Sequence, residues 1–493
     1  MKKDVISVFS LLKTLRFPAA RLALIFFLDG PPQPASAQEP ADPGASVRGE
    51  IEHAQKMRRF KDRDIETQRT PSVIPTFKAV DDPSGKIATF LSGGPTFPPL
   101  NAFFQNLGTN GRVCFTCHQP QNAWSVSAAD VSSRFEDTRG NDPIFRLFDG
   151  ATCPSDDVST IDAKREAYKL LIDKGLIRIG LPMPPAANLQ FEVTNVDDPY
   201  NCTTNPVTGL TSKTTGMVSM YRRPLPSTNL GFLTEIMWDG RETERGLAQQ
   251  AVDATLGHAQ ANTEPNSGQQ GQIVAFESGI FTAQEFDNNA ASLHANYATG
   301  GPRALSRQAF LAGTPTVDGT PGIFDLYTPW ASLPGTGDVP QARQSVARGQ
   351  ALFNLARPKG QCGGCHNTVD AGDHASPAFF PSLGVAISSG GANPPPALDI
   401  SGLPQFTVNC TQGPLAGQTF VVTDLGRGMI TGLCADIGKT KVPTLRGLAG
   451  RAPYFHNGSA ATLVDVVSFY DANFGLGFTD QQKEDLVNFL NTL

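Results

Sequence analysis

Apolar positions along this chain come in short bursts with few long periodic runs. The clearest helical pattern covers Gln341 to Leu355, where Ala347, Leu352 and Phe353 fall near one face. A second closes the chain: Thr479-Asp480-Gln481-Gln482 has the form of a capping box, and Leu486, Phe489, Leu490 and Leu493 follow it at helical spacing. This short amphipathic helix is expected to cross the Gln341–Leu355 helix. Strand-like alternation is scarce, and 48 glycines and 39 prolines punctuate the chain with loops. The pattern predicts a mainly α fold with long loops and a few short strands. The Gly/Pro-rich break from Pro334 to Pro340 is expected to link two domains, 86–335 and 341–493. Residues 38–85 are polar and carry Pro, Asp and Arg runs, which predicts an extension draped on the surface or partly disordered.

The first forty residues change the picture. Lys2, Lys3, Lys13, Arg16 and Arg21 precede the apolar run Leu22 to Leu28, and a Pro-rich stretch then ends in Ala35-Ser36-Ala37. This is the order of an export signal, so residues 1–37 are expected to be removed and the protein to be periplasmic. The other reading is an uncut anchor, but the run is short for a bilayer, and no other stretch approaches a membrane helix in length. With 40% hydrophobic and 17% charged residues among 493, the chain as a whole has an ordinary globular balance. A net charge of -6 argues against a nucleic-acid partner.

Cysteine spacing brings in the chemistry. Of eight cysteines, four fall into two identical patterns, Cys114-Phe115-Thr116-Cys117-His118 and Cys362-Gly363-Gly364-Cys365-His366. In C-x-x-C-H the two thiols add to the vinyl groups of a haem and the adjacent imidazole reaches its iron. A zinc site would need two further ligands at each motif. Two covalently bound c-type haems are therefore expected, one in each half, on two cytochrome c-like domains. The remaining cysteines lie as one pair per half, and outside the cytoplasm such thiols usually oxidise. Cys153–Cys202 and Cys410–Cys434 are the expected disulfides, with buried free thiols as the alternative.

The second half carries further motifs: Asp424-Leu425-Gly426-Arg427, Lys441-Val442-Pro443-Thr444-Leu445-Arg446, Ala452-Pro453-Tyr454-Phe455-His456-Asn457-Gly458, and then Ala461 to Tyr470. Upstream stand Met237-Trp238-Asp239-Gly240-Arg241 and Gln249-Gln250-Ala251. This set resembles the bacterial di-haem cytochrome c peroxidase and MauG superfamily from about residue 100 to the end. The resemblance implies that the His118 haem is the reaction site, that the His366 haem relays or stores electrons, and that Trp238 couples them. It places Tyr470, fourteen residues after His456, where peroxidases of the family carry a Met ligand and MauG-type members a Tyr. Tyr470 is thus the expected sixth ligand of the second haem, with Met429 as rival and a core Tyr as the plain alternative. A phenolate favours ferric iron where a thioether raises the potential.

Departures from the family pattern carry information too. No His stands between His118 and His258, so the loop ligand that closes the reactive haem in resting peroxidases is missing and that iron is expected to be open. The family's acid–base Glu is also missing. Its neighbourhood reads Ala254 to Gln260, which leaves His258 as acid–base group or iron ligand, and Gln250 and Gln260 as polar lining. The resemblance implies calcium between the haems, yet Arg222-Arg223-Pro224-Leu225-Pro226 lacks the Asn expected to hold it, which leaves backbone carbonyls near Arg451 and Pro453. Arg427, Arg446 and His456 are candidates for holding propionates or the domain interface. Taken together, the resemblance implies a peroxidase-like enzyme that reduces hydrogen peroxide or a related oxidant with electrons from a small cytochrome c or copper protein. A MauG-like protein-modifying enzyme, an oxygenase resembling the rubber oxygenases, and a non-catalytic electron carrier are the alternatives.

Overall fold

Segments far apart in sequence pair into sheets, which the apolar pattern hardly announces. The computed structural model describes residues 70–493 apart from 206, 208, 213, 244–245, 309–323, 356–361, 375–376 and 390–397. The expected export signal and most of the 38–85 extension lie outside the described residues. Among those residues there are twelve strands, so the fold is mixed helix and sheet and not mainly α. The reason is physical: strands of two to eight residues show too little alternation to read, and their partners are remote.

One antiparallel sheet orders Phe77–Asp82, Gly85–Leu91, Ile280–Asp287 and Ala291–Ser292. Its first strand comes from the end of the expected surface extension. The Asp82 carboxylate accepts from the Ser84 and Gly85 amides at 2.7 and 2.9 Å and closes the hairpin. Thr89 on the second strand accepts from Trp124 Nε1 at 2.9 Å, which ties the sheet to the chain just after the first haem motif. A second sheet orders Ile387–Ser389, Thr419–Val422, Gln405–Cys410 and Phe191–Asp197, the last strand contributed by the first half of the chain. Beneath it, one apolar cluster gathers both disulfides, Cys153–Cys202 and Cys410–Cys434, with Met429. Their Cα separations of 5.4 and 5.8 Å suit the expected pairings. The described residues all belong to one compact unit, Arg58–Leu493.

The helices of the second half follow their sequence signals closely. Asp338–Phe353 begins inside the expected linker, and Pro340 is tolerated there because a first-turn amide has no helical acceptor. It crosses Asp480–Leu490 at close range: a Cβ on Gly349 would lie 1.9 Å from the Asp485 carbonyl oxygen. Asp485 also accepts from Ser345 Oγ at 2.6 Å and from the Arg348 fork at 2.8 and 2.7 Å. The capping box forms, with Thr479 Oγ1 accepting from the Gln482 amide and Gln482 Oε1 from the Thr479 amide. The core between these helices reaches the second haem motif, where the Phe353 ring lies 6.3 Å from the His366 ring. No described helix is long and apolar enough to cross a membrane.

Candidate functional site: two cavities and the wall between them

The first motif folds as a tight turn. The Val113 amide donates to Thr116 Oγ1 at 3.0 Å and the His118 amide to the Cys114 carbonyl at 3.1 Å. The Trp124 carbonyl lies 2.8 Å from His118 Nδ1, which puts the ring proton on Nδ1 and leaves the Nε2 lone pair for a metal. Burial pushes the His118 imidazole down to about 4, so it is neutral and able to ligate. Both thiols and this ring line one cavity with Gln250, His258, Trp238, Arg241 and Glu277. Its polar side is organised by Asp149. Burial works to raise that carboxyl, but the Arg112 guanidinium and His258 outweigh it and hold it below the ordinary carboxylate range. Asp149 Oδ2 lies 2.6 Å from His258 Nδ1, which orients the ring and leaves its Nε2 to accept or give a proton.

The second motif repeats the design on the short helix Cys362–Cys365. The Gly372 carbonyl lies 2.5 Å from His366 Nδ1, and burial pushes that imidazole too down to about 4. The cavity here is walled by Leu445, Leu448, Val467, Leu486 and Leu490, with Tyr470 and His456 among its few polar rings. Tyr470 stands on the helix Leu463–Phe474, stacked on Phe474 at 6.0 Å, and burial pushes its phenol upward. Among the described residues no methionine lines this cavity. Met429, the rival ligand, is buried in the cluster with the disulfides.

The two cavities share a wall made of Arg223, Pro224, Leu225 and Trp238. Trp238 Nε1 donates to the Arg223 carbonyl at 2.8 Å, and its ring lies 6.0 Å from His456. Trp238 occupies a turn with Met237 at φ 64° and Gly240 at φ 66°. A side chain at Gly240 would meet Phe380 at 2.4 Å and the Arg427 guanidinium at 2.8 Å, so this turn has room for glycine alone. Behind it lies a buried ion network. Arg222 grips Asp424 at 2.6 and 2.8 Å and also pairs with Asp239, which takes Arg241 as a second partner at 2.8 Å. The acidic and basic residues of W-D-G-R and D-L-G-R thus lock the halves of the chain around the shared wall.

No protein-family model matches the chain. It is 28% identical over 287 residues to the cytochrome-c peroxidase IdrP1 of Denitromonas iodatirespirans, covering 55% of this chain and 68% of that protein. The cytochrome-c peroxidase IdrP1 of Pseudomonas sp. (strain SCT) is 26% identical over 283 residues, covering 54% and 66%. The chain therefore spans about two thirds of the length of these curated relatives. These similarities support a place for the chain in the di-haem cytochrome c peroxidase/MauG superfamily. A solved MauG-like protein associated with microbial copper homeostasis is 20% identical at a TM-score of 0.33, covering 55% of this chain and 73% of that one, which is too distant to bear on the fold.

The residues singled out by the superfamily's motifs are distributed unevenly. Gln250 and His258, from the helix Leu247–Gly257 and its C-terminal end, reach the first cavity, whereas Gln260 does not line it. Gln260 Oε1 instead accepts from Asn110 Nδ2 at 3.2 Å. Arg427 and Arg446 line neither cavity. The Arg427 guanidinium covers the Phe380 ring at 3.9 Å, and Arg446 donates to the Asp370 carbonyl at 2.5 Å, so both are structural. His456 is 1% exposed and lines the second cavity, beside the ion network.

Sequence reasoning missed Glu277. It is 4% exposed on the helix Ser267–Gly279, lines the first cavity, and has one carboxyl oxygen without a hydrogen-bond partner. Burial pushes it up to about 7, against the pull of the Ser227 hydroxyl. A lone Glu in an amphipathic helix gives no sign of burial in the sequence.

One oxygen of the calcium position implied by the superfamily is already engaged in this chain. Among the described residues no group of three or more His, Cys, Asp or Glu is placed to hold a metal ion. The Arg451 carbonyl, a candidate oxygen ligand, accepts from the Arg223 guanidinium at 2.6 Å.

Proposed function

We propose that this protein is a periplasmic di-haem c-type oxidoreductase that reduces hydrogen peroxide or a related oxidant, taking electrons from a small cytochrome c or copper protein. The observation that carries the reading is the pair of C-x-x-C-H cavities joined by one tryptophan. The donor sets suit haem: each cavity offers two thiols for the vinyl groups and one neutral imidazole with its Nδ1 capped by a carbonyl. Bound haem supplies the iron that takes up the oxidant and the electrons that reduce it.

The chain supplies the rest. Peroxide takes two electrons and two protons to give two waters, so the first cavity needs proton traffic and a way in. Asp149 fixes the His258 ring for proton transfer, and the side chain of His258 is 41% exposed, which connects it to solvent. Gln250 offers a neutral hydrogen bond in the same cavity. The second cavity, whose lining holds no carboxylate among the described residues, suits storage and relay of electrons, and Trp238 is the aromatic side chain of the wall common to both.

A second reading, MauG-like oxidation of a protein partner, draws on Tyr470 in a second cavity that no methionine lines among the described residues. Steady-state assays with peroxide and reduced cytochrome c separate the two. Turnover supports the peroxidase; rapid reaction with peroxide but no turnover supports the MauG-like alternative; no reaction with peroxide refutes both.

A further inference from the structure

We propose that the Arg223 guanidinium is the resident cation of the wall between the two cavities, holding that wall and Trp238 in place where the superfamily would employ calcium. The inference rests on the two-haem reading above and concerns only how the chain positions the bridge.

Arg223 is 5% exposed, and among the described residues no carboxylate is in ion-pair contact with it. Its neighbour Arg222 is the opposite case, clamped between Asp239 and Asp424. Arg223 spends its donors on backbone carbonyls from three separate segments: Val126 at 2.7 Å, Lys174 at 2.9 Å and Arg451 at 2.6 Å. Val126 follows the first haem motif, Lys174 ends the helix Lys169–Lys174, and Arg451 belongs to the second half of the chain. A cation ringed by carbonyl oxygens from converging loops is the arrangement by which a hard metal ion ties a fold together. Here a planar fork makes those bonds.

The backbone of the same residue completes the tie. The Arg223 amide donates to the His456 carbonyl at 2.7 Å, and the Arg223 carbonyl accepts the indole N–H of Trp238. The guanidinium also fills its site, since a Cβ on Gly175 would lie 2.7 Å from Nη1. Burial and then Arg451 pull the group down to about 9, which leaves it charged at neutral pH.

Two consequences separate this role from ordinary packing. No divalent ion is needed between the haems. A fixed positive charge in a wall common to both cavities favours the reduced form of each haem, so removing it lowers both midpoint potentials.

The test begins with the wild-type holoprotein, dialysed against EGTA and then titrated with calcium. Both haem spectra, both midpoint potentials and the rate of electron transfer between the haems are expected to stay constant throughout. A change on chelation that calcium reverses would overturn the proposal. Arg223→Gln is then expected to lower both midpoints and to slow inter-haem transfer at least about tenfold through a loosened Trp238. Arg223→Lys, which keeps the charge without the three-way fork, should hold the midpoints and slow transfer. Unchanged midpoints and transfer in Arg223→Gln would also overturn it. Should Arg223→Gln fail to fold, the chelation series and Arg223→Lys still decide. Failure of the wild type to react with peroxide would sink the proposed function and leave this tie standing.

Discussion

The two cavities are built on one motif, share one wall and differ in the titratable groups around them. Each presents two thiols and a buried neutral imidazole whose Nδ1 is capped by a backbone carbonyl. Around the first stand the carboxylates Asp149 and Glu277 with His258, Arg241 and Gln250; around the second, leucines and valines are joined by Tyr454, His456, Lys441, Arg451 and Tyr470, with no carboxylate among the described residues of the lining. A c-type motif therefore fixes where a haem is attached and says nothing of what it does. The lining decides that: a pocket with carboxylates and a histidine can move protons to a bound oxidant, while one without carboxylates offers no such relay.

The largest expected effect breaks the comparison outright. His118→Ala is expected to lower peroxide reduction by on the order of 10³ or more, because it removes the proximal ligand of the reactive site. The equivalent His366→Ala should leave the first haem's reaction with peroxide visible in a single mixing experiment while abolishing steady turnover. Equal loss of the first reaction in both variants would remove the asymmetry.

Trp238→Phe comes next. It keeps the packing of the shared wall and removes the indole N–H held by Arg223. Inter-haem electron transfer, followed by stopped-flow on half-reduced protein, is expected to slow by roughly 10²-fold with both haem spectra unchanged. An unchanged rate would deny Trp238 its place as bridge.

Glu277→Gln sharpens the contrast between the cavities through pH. The folded value near 7 lies above the ordinary 4.5, so the native state holds this proton more tightly than the unfolded chain does. Stability is therefore greatest below about 4.5 and falls as pH rises toward 7, by up to about 3 kcal/mol for this group alone. The Gln variant should lose that part of the slope and gain stability relative to the parent above pH 7, as read from denaturant midpoints across pH. Parallel curves for the two proteins would show that Glu277 does not titrate in this range.

Tyr470→Phe should give the smallest change, altering the optical and paramagnetic spectrum of the second haem alone. A spectrum identical to the parent would return Tyr470 to the core and leave His456 and Tyr454 as candidate ring ligands in that cavity.

What the sequence made legible was whatever is local. The capping box at Thr479, the helix leading toward Cys362 and the two disulfides lie where the spacing puts them, because each depends on neighbours a few residues away or on the small number of cysteines. The sheets were not legible. Phe191–Asp197 finds its partner in Gln405–Cys410, more than two hundred residues on, and neither strand announces the other. The same holds within the site. Gln250 and His258 reach the first cavity from a helix face, but Gln260 falls past the helix end in a left-handed conformation, φ 52°, and turns toward Asn110. Glu277 and Arg223 acquire their character only from burial, which depends on the tertiary packing of remote segments.

The asymmetry of the two sites is tested most directly by electron paramagnetic resonance and optical spectra of the purified resting holoprotein, before and after peroxide. The expected result is two haems per chain, one high-spin and altered at once by peroxide, the other low-spin and changed only by electron exchange with the first. Two low-spin haems that both ignore peroxide would contradict it.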